Sequence, residues 1–159
     1  MEVAAAQNEG IVVGYGEDIG ICTSLRYSLD MLHLAAAISK RADARGITVP
    51  ALLEVNVSGE ESKSGFSPDE ARESVEDVLS LPGLDLRGLM TMAPAGDPDM
   101  ARRTFSGLRE LAEDLRMRTG LALDVLSCGM SDDFPIAVEE GSTLLRLGRV
   151  VFDPGHRLV

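Results

Sequence analysis

Short apolar runs alternate with longer amphipathic stretches along this chain, and this alternation constrains the fold more than any other feature. The apolar runs predict β-strands, and the stretches between them have the i, i+3, i+4 spacing of helices. Because parallel neighbouring strands need a crossover connection, this order predicts parallel βαβ units. The predicted strands cover 50–57, 86–92, 121–126 and 143–147, and the predicted helices cover 29–44, 67–81, 97–119 and 132–140.

The length of 159 residues limits how many such units the chain supplies. A complete (β/α)8 barrel takes about 250 residues, so we expect a single α/β domain with about four to five βα units. From the pattern alone, a short open α/β sheet and a part of a barrel both satisfy this count. Residues 1–20 carry the least pattern, and within them 10–14 indicates a short strand.

The clearest helix boundaries belong to the second and third predicted helices. Ser67 is predicted as an N-cap, Pro68 suits the first helical position, and Glu70 completes a capping box. Gly120 is predicted to end the third helix.

The charge of the chain narrows its classes of partner. Acidic residues outnumber basic ones 26 to 15, which gives a net charge of −11 at pH 7. Such a chain repels phosphate backbones and anionic lipids, so we expect neither nucleic acid nor a membrane as its main partner. No long apolar run or signal peptide is recognisable, which predicts a soluble cytoplasmic protein. Two cysteines and two histidines predict neither a disulfide framework nor a metal site.

Five motifs in a fixed order carry a family resemblance. The motifs are Val55-Asn-Val-Ser58, Ser62-Lys-Ser-Gly65, Gly88-Leu-Met-Thr-Met92, Ser127-Cys-Gly-Met-Ser-Asp-Asp133 and Gly141-Ser-Thr-Leu-Leu-Arg-Leu-Gly148. From about residue 24 to residue 152, the chain resembles the pyridoxal-phosphate homeostasis protein family, which consists of single-domain relatives of the alanine racemase barrel. The resemblance implies a (β/α)8 barrel that carries pyridoxal 5′-phosphate (PLP) at the C-terminal ends of its strands, and this chain matches its C-terminal part.

The resemblance also implies a lysine at the end of the first barrel strand that binds PLP as a Schiff base. No lysine precedes Lys40 in this sequence, and the other lysine, Lys63, belongs to a motif after a different strand. We therefore expect a truncated or degenerate member of the family, without covalent attachment and with weak or lost PLP binding. Lys63 is a candidate substitute amine, although its sequence context also suits a solvated loop.

The turn formed by Gly129, Met130 and Ser131 is the first candidate part of a cofactor site. A strand-to-helix turn directs N–H donors at an anion, Gly129 gives the backbone freedom, and Ser131 adds a hydroxyl. Gly148, at the end of the next predicted strand, lets the backbone approach a ligand closely. By resemblance, these two turns bind the cofactor phosphate. From their residues alone, they also suit an ordinary loop and helix cap.

Three further residues complete the predicted cofactor site. Arg146 lies in an apolar strand, and by resemblance it faces the pyridine nitrogen of PLP; an outward salt bridge is the alternative. Arg149 stands where the family usually has a small hydroxyl residue, so it either strengthens anion binding or fills the phosphate cup. Asn56, at the end of a strand, either hydrogen-bonds a ligand or begins a turn.

These features favour a PLP-binding carrier of the homeostasis type over an enzyme. No catalytic residue is predicted, because no lysine or tyrosine occupies a convincing acid–base position and Cys128 lacks a neighbouring base. A PLP-dependent, racemase-like enzyme is the first alternative. The second is a cofactor-free interaction protein whose open sheet edges lead to homo-oligomers.

Overall fold

A computed structural model of the protein describes residues 27–153 and 155. The strands are β1 (Tyr27–Leu29), β2 (Val49–Glu54), β3 (Leu84–Met90) and β4 (Val125–Ser127). The helices are α1 (Leu32–Asp43), α2 (Pro68–Leu79), α3 (Pro98–Thr119), α4 (Phe134–Glu139) and α5 (Arg149–Phe152). None of these helices is long and apolar enough to cross a bilayer. The strand predicted at 10–14 lies outside the described residues.

The four strands form one parallel sheet in the order β1-β2-β3-β4, and a helix follows each strand. Helical crossovers connect successive strands, as parallel pairing requires. The predicted α/β class is confirmed, with four βα units in the described chain. This arrangement is that of a part of a (β/α)8 barrel.

Local capping signals place α2 and α3 where the sequence predicts them. Ser67 Oγ accepts from the Glu70 N–H at 3.2 Å, and the Glu70 carboxylate accepts from the Ser67 N–H at 2.8 Å, so the capping box is confirmed. Asp97 caps α3 by accepting from the Met100 N–H at 2.9 Å, and Gly120 ends that helix in the left-handed conformation. Both helices therefore have satisfied backbone groups at their ends.

The chain before α1 differs from the prediction. Apolar spacing predicts a helix over 29–44, whereas Leu29 is the last residue of β1 and α1 begins at Leu32. Leu29 pairs with Leu53 of β2 and is fully buried. Pairing with a neighbouring strand therefore outweighs the helical spacing at this position.

Three predicted strands are shorter than expected, and the first of them, predicted over 50–57, ends at Glu54. β4 begins at Val125, because Leu123 has a φ of +41° and Arg116 donates to the Leu123 carbonyl oxygen at 2.8 Å. The segment predicted as a strand over 143–147 pairs with β4, in the described chain, through one isolated bridge at Leu144. The short helix α5 has no counterpart among the predicted elements.

The two faces of the sheet pack differently. On the helix-covered face lies the larger apolar cluster, in which strand residues pack against α2 and α3. The opposite face carries a smaller cluster, whose buried members are Leu52, Met90, Val125 and Leu144. Strand residues two positions apart point to the same face. Glu54 and Ser127, at the carboxyl ends of β2 and β4, therefore lie on the same face as Leu52 and Val125 of this smaller cluster.

Candidate functional site

The carboxyl ends of the parallel strands meet at one edge of the sheet, and the segments that follow them form the candidate site. These segments are the β2 loop (55–66), the β3 loop (91–97), the β4 loop (128–133) and the segment 144–150. Every residue predicted to bind the cofactor lies in one of them.

Gly129 holds the β4 loop in a conformation that suits glycine alone. Its φ is +94°, and a Cβ at this position would lie 2.5 Å from the Cβ of Ala137 and 2.9 Å from Cδ2 of Leu145. The carbonyl oxygen of Gly129 accepts from the Arg146 N–H at 3.0 Å. The β4 loop is thereby packed against α4 and hydrogen-bonded to the segment 144–150.

Ser131 joins the two turns that are predicted to bind phosphate. Its hydroxyl oxygen accepts from the N–H groups of Gly148, at 3.3 Å, and Val150, at 3.2 Å. Beside it, the Met130 N–H donates to Oδ1 of Asp133 at 2.6 Å, which closes the first turn. A Cβ at Gly148 would meet no atom within 4 Å outside its chain neighbours, so the space above this backbone is open.

The Arg149 guanidinium lies at the exposed rim of the same two turns. Its Nη2 atom forms an ion pair with Oδ2 of Asp132, the residue that follows Ser131. The side chain of Arg149 is 67% exposed and that of Asp132 is 42% exposed. The ion pair therefore holds a positive charge next to the turns, within reach of solvent.

Arg146 spans the ends of β3 and β4. Its Nη1 atom donates to the carbonyl oxygen and hydroxyl of Ser127, at 3.0 and 2.8 Å, and its Nη2 atom donates to the carbonyl oxygen of Thr91 at 3.2 Å. Burial lowers the pKa of Arg146. Its hydrogen-bond partners in the described chain are backbone and hydroxyl oxygens, unlike the outward salt bridge of the alternative interpretation.

The carboxylates of Glu54 and Asp30, which are not among the predicted site residues, lie at the same edge of the sheet. Glu54 ends β2 and is buried; burial, together with the charge of Asp30, raises its pKa against the opposing charge of Arg146. Oδ1 of Asp30 is buried without a hydrogen-bond partner among the described residues. The sequence contains a signal for Glu54: it is a charged residue two positions after Leu52 in an apolar strand, and therefore on the same strand face as Leu52.

Asn56 organises the β2 loop. Its Oδ1 atom accepts from the Ser58 hydroxyl at 3.1 Å and from the Gly59 N–H at 3.0 Å. Its Nδ2 atom donates to the carbonyl oxygens of Glu60 and Lys63, at 2.8 and 3.3 Å. The side chain therefore has the turn-forming role that the sequence left open, and its contact with a ligand stays a prediction.

Lys63, the candidate substitute amine, makes structural contacts, and the thiol of Cys128 is buried. Lys63 Nζ donates to the carbonyl oxygen of Ala93 at 2.9 Å and lies 3.4 Å from Oε2 of Glu60, so this amine links the β2 and β3 loops. The Lys63 side chain is 20% exposed, in contrast to the solvated loop of the alternative interpretation. Burial raises the pKa of the Cys128 thiol to about 11, which keeps it protonated at neutral pH.

The geometry fits the phosphate group of PLP, the cofactor that the resemblance implies. A hydroxyl, a guanidinium and open space above a glycine suit a phosphate monoester, while the N–H groups of Met130, Gly148 and Val150 donate to Asp133 and Ser131. Arg146 directs its charge at the neighbouring strand ends, whereas Asn56 is engaged in a separate loop. Five predicted residues lie on the two adjoining turns, namely Gly129, Met130, Ser131, Gly148 and Arg149.

Several known proteins are similar to this chain in sequence. Residues 6–153 match the family described as "Alanine racemase, N-terminal domain". The pyridoxal phosphate homeostasis protein of Aquifex aeolicus is 44% identical over 129 residues, which are 80% of this chain and 57% of that protein. The protein of the same name from Pseudomonas aeruginosa is 42% identical over 127 residues, which are 79% of this chain and 54% of that protein. The chain thus spans about half the length of these curated relatives.

Solved structures with the same fold extend the comparison. An unknown protein from Bifidobacterium adolescentis has a TM-score of 0.74 at 44% identity, over 79% of this chain and 51% of that one. PipY of Synechococcus elongatus with PLP bound has a TM-score of 0.72 at 31% identity, over 79% and 59% of the chains. An alanine racemase from Clostridium difficile, at 17% identity and a TM-score of 0.65 over 82% and 35%, shows the fold alone. The predicted partial barrel of the alanine racemase type is confirmed.

Proposed function

The chain belongs to the alanine racemase N-terminal domain family, and from this premise we propose that it binds PLP as a carrier in pyridoxal phosphate homeostasis and is not an enzyme. One observation carries the proposal: Ser131 accepts from the backbone of Gly148 and Val150, which brings the two turns together. Curated relatives are pyridoxal phosphate homeostasis proteins, and a solved structure of PipY has PLP bound.

The phosphate end of the cofactor is assigned to the two turns, 129–131 and 148–150, which we call the phosphate turns. The Ser131 hydroxyl, held by the N–H groups of Gly148 and Val150, offers a donor to a phosphate monoester, and the guanidinium of Arg149 adds positive charge. Glycines at 129 and 148 keep Cβ atoms away from the backbone that approaches the ligand. These features support binding through the phosphate without a covalent bond.

The ring end of the cofactor is assigned to Arg146. Bound PLP supplies a reactive aldehyde on an electron-withdrawing pyridine ring. Arg146 is held by Ser127 and Thr91, so its positive charge is fixed at the ends of β3 and β4. A nearby positive charge disfavours protonation of the ring nitrogen, and an unprotonated ring withdraws electrons less strongly. This supports a carrier that keeps its cofactor unreactive.

The remaining parts of the proposal concern chemistry, location and partners. Lys63 and Cys128 are engaged as a loop link and as a buried protonated thiol, which supports a role other than catalysis. The net charge of −11 supports a carrier without a nucleic-acid or membrane partner. We place this carrier in the cytoplasm. Self-association through sheet edges is supported by β1, which pairs in the described chain with β2 on one side.

An absorbance titration of the full chain with PLP tests the proposal. We expect saturable binding that inorganic phosphate inhibits and that is weaker for pyridoxal, which lacks the phosphate. Ser131→Ala should weaken PLP binding about three- to ten-fold, because one hydroxyl that joins the phosphate turns is lost. Ser80→Ala, at the exposed end of α2, is the matched control and should retain the wild-type affinity. Equal affinities for PLP and pyridoxal would contradict the assignment of the phosphate turns.

Two further measurements separate the carrier from its alternatives. Mass spectrometry after borohydride reduction detects covalent attachment, and we expect no adduct on Lys40 or Lys63. Incubation with PLP and L-alanine should yield no D-alanine, whereas turnover would identify a racemase-like enzyme. A chain that does not bind PLP would be the cofactor-free interaction protein, whose association state light scattering measures.

A further inference from the structure

Asp132, which follows the first phosphate turn, forms an ion pair with Arg149 of the second phosphate turn at their exposed rim. We propose that Asp132 controls phosphate binding by competing with the phosphate for the guanidinium of Arg149. Arg149 then has two alternative anionic partners, and their competition sets the affinity for a phosphorylated ligand. The inference rests on the proposed function, because it describes the regulation of the same site.

The position of the ion pair supports this competition. Asp132 directly follows Ser131, whose hydroxyl accepts from the N–H groups of Gly148 and Val150. Arg149 lies between these two donors in the chain, and its Nη2 atom pairs with Oδ2 of Asp132. The carboxylate and the guanidinium therefore flank the place where the two phosphate turns meet.

The chemistry of the guanidinium makes its two partners interchangeable. Its planar donors match the oxygens of a phosphate as well as those of a carboxylate. A phosphate monoester carries about 1.5 to 2 negative charges at neutral pH, more than the single charge of Asp132. A bound phosphate therefore attracts Arg149 more strongly than Asp132 does, whereas in the free chain Asp132 holds it.

The exposure of the pair determines the size of the effect. With side chains that are 67% and 42% exposed, the pair of Arg149 and Asp132 is accessible to water and salt. Exposed ion pairs contribute little free energy and weaken further at high ionic strength. Opening the pair therefore costs little, and we expect a change in affinity of about three- to five-fold when Asp132 loses its charge.

The neighbouring Asp133 has a different role. Its Oδ1 atom accepts from the Met130 N–H at 2.6 Å, so Asp133 maintains the turn itself. A substitution at Asp132 removes a charge and keeps this bond. Asp124 is an exposed aspartate just before β4, and Asp124→Asn is therefore a matched control for the change in net charge.

Titrations with PLP, inorganic phosphate and pyridoxal at low ionic strength test the inference on the full chain. We expect Asp132→Asn to bind PLP and phosphate about three- to five-fold more tightly, and Arg149→Gln to bind them about three- to ten-fold more weakly. Most of the gain from Asp132→Asn should disappear in the Arg149→Gln background and in 0.5 M salt, roughly a 3–5 Å Debye length. Pyridoxal affinity should stay constant, and Asp124→Asn should behave as wild type.

The outcomes separate this inference from the proposed function. If the wild type binds PLP and Asp132→Asn binds it no more tightly, the competition is refuted while the carrier function stands. An equal gain in both backgrounds would also refute the competition, because the carboxylate would then act without Arg149. If neither the wild type nor Asp132→Asn binds PLP, the proposed function fails and the inference fails with it. Binding by Asp132→Asn alone would support the competition in its strongest form.

Discussion

The β2 loop and the β4 loop lie at the same edge of the sheet, with β3 between their strands, and their side chains make different kinds of contact. In the β2 loop, the side chain of Asn56 makes its hydrogen bonds within the loop, and Lys63 joins the loop to the β3 loop through the Ala93 carbonyl oxygen. The β4 loop is completed by another segment, because Ser131 and Asp132 reach Gly148, Arg149 and Val150. A side chain that bonds within its own loop stabilises that loop. A loop whose side chains bond to another segment forms with that segment a surface that a ligand can contact.

This difference separates stability from binding. Substitutions within the β2 loop should lower the free energy of unfolding and leave the PLP affinity of the folded chain nearly unchanged. Substitutions of Ser131 or Arg149 should change PLP affinity with little loss of stability, since each removes one or two exposed or part-buried bonds. Gly129 in the β4 loop is an exception, and its substitution should lower stability, because both the conformation of the turn and its packing against Ala137 and Leu145 require glycine.

The largest expected effect is that of Gly129→Ala. We expect a loss of about 3 kcal/mol or more in the free energy of unfolding, because a positive φ is combined with overlap against Ala137 and Leu145. Urea denaturation measures the loss. Gly59→Ala in the β2 loop is the control: its φ is +72° and a Cβ there meets nothing within 4 Å, so about 1 kcal/mol is expected. Equal losses at both positions would show that packing around Gly129 is loose.

Local signals explain why parts of the fold are predictable from the sequence. The capping box of Ser67 and Glu70 and the end of α3 at Gly120 depend on residues within a few positions of one another. Leu29 depends on a distant partner, Leu53 of β2, and no local pattern encodes that pairing. Local interactions can be read directly from a sequence, whereas strand pairing depends on the whole fold.

The same distinction applies to the candidate site. The turn at 129–131 was recognisable because glycine and serine follow a strand, although the resemblance was needed to assign it to phosphate. The ion pair between Asp132 and Arg149 joins residues 17 positions apart, and the sequence places Asp132 at the start of a predicted helix. Glu54 and Asp30 meet only because β1 and β2 pair. Contacts between elements were therefore the part that the sequence did not reveal.

Asn56→Ala should give the second largest effect. Because the side chain makes four hydrogen bonds within the β2 loop, we expect a loss of about 2 kcal/mol in the free energy of unfolding. Asn56→Asp keeps the acceptor for Ser58 and Gly59 but turns a carboxylate oxygen toward the carbonyl oxygens of Glu60 and Lys63, so it should lose at least as much. PLP titration of the folded variants completes the test. A PLP affinity that falls ten-fold in both variants would assign Asn56 to the ligand as well as to its loop.

Lys63→Gln should have a smaller effect of about 1 kcal/mol. The variant loses the charge-assisted bond from Nζ to the Ala93 carbonyl oxygen, which links the β2 and β3 loops. Lys40→Gln, on the exposed surface of α1, is the matched control and should stay within about 0.5 kcal/mol of wild type. Thermal and urea unfolding measure both. Loss of PLP binding in Lys63→Gln alone would contradict a purely structural link and identify Lys63 as a cofactor contact.

The smallest expected effect is a change in pH dependence at Glu54, the last residue of β2. Its carbonyl oxygen accepts from the Phe66 N–H at 2.9 Å in the β2 loop, while its carboxyl group lies in the field of Arg146. Burial and Asp30 raise the pKa of Glu54, so the folded chain binds this proton more readily than the unfolded chain. That stabilisation is complete below the ordinary value of 4.5 and is lost as the pH rises through the raised pKa.

Glu54→Gln keeps the shape of the protonated side chain and cannot ionise. Its free energy of unfolding should therefore fall less than that of the wild type between pH 4.5 and pH 7, a range that urea titrations at several pH values can cover. Glu61→Gln, exposed in the β2 loop, should retain the wild-type slope. If Glu54→Gln instead changes PLP affinity as strongly as Ser131→Ala, the β2 and β4 loops act together. The two loops would then differ in their hydrogen bonds, while their charged groups would act on the same ligand.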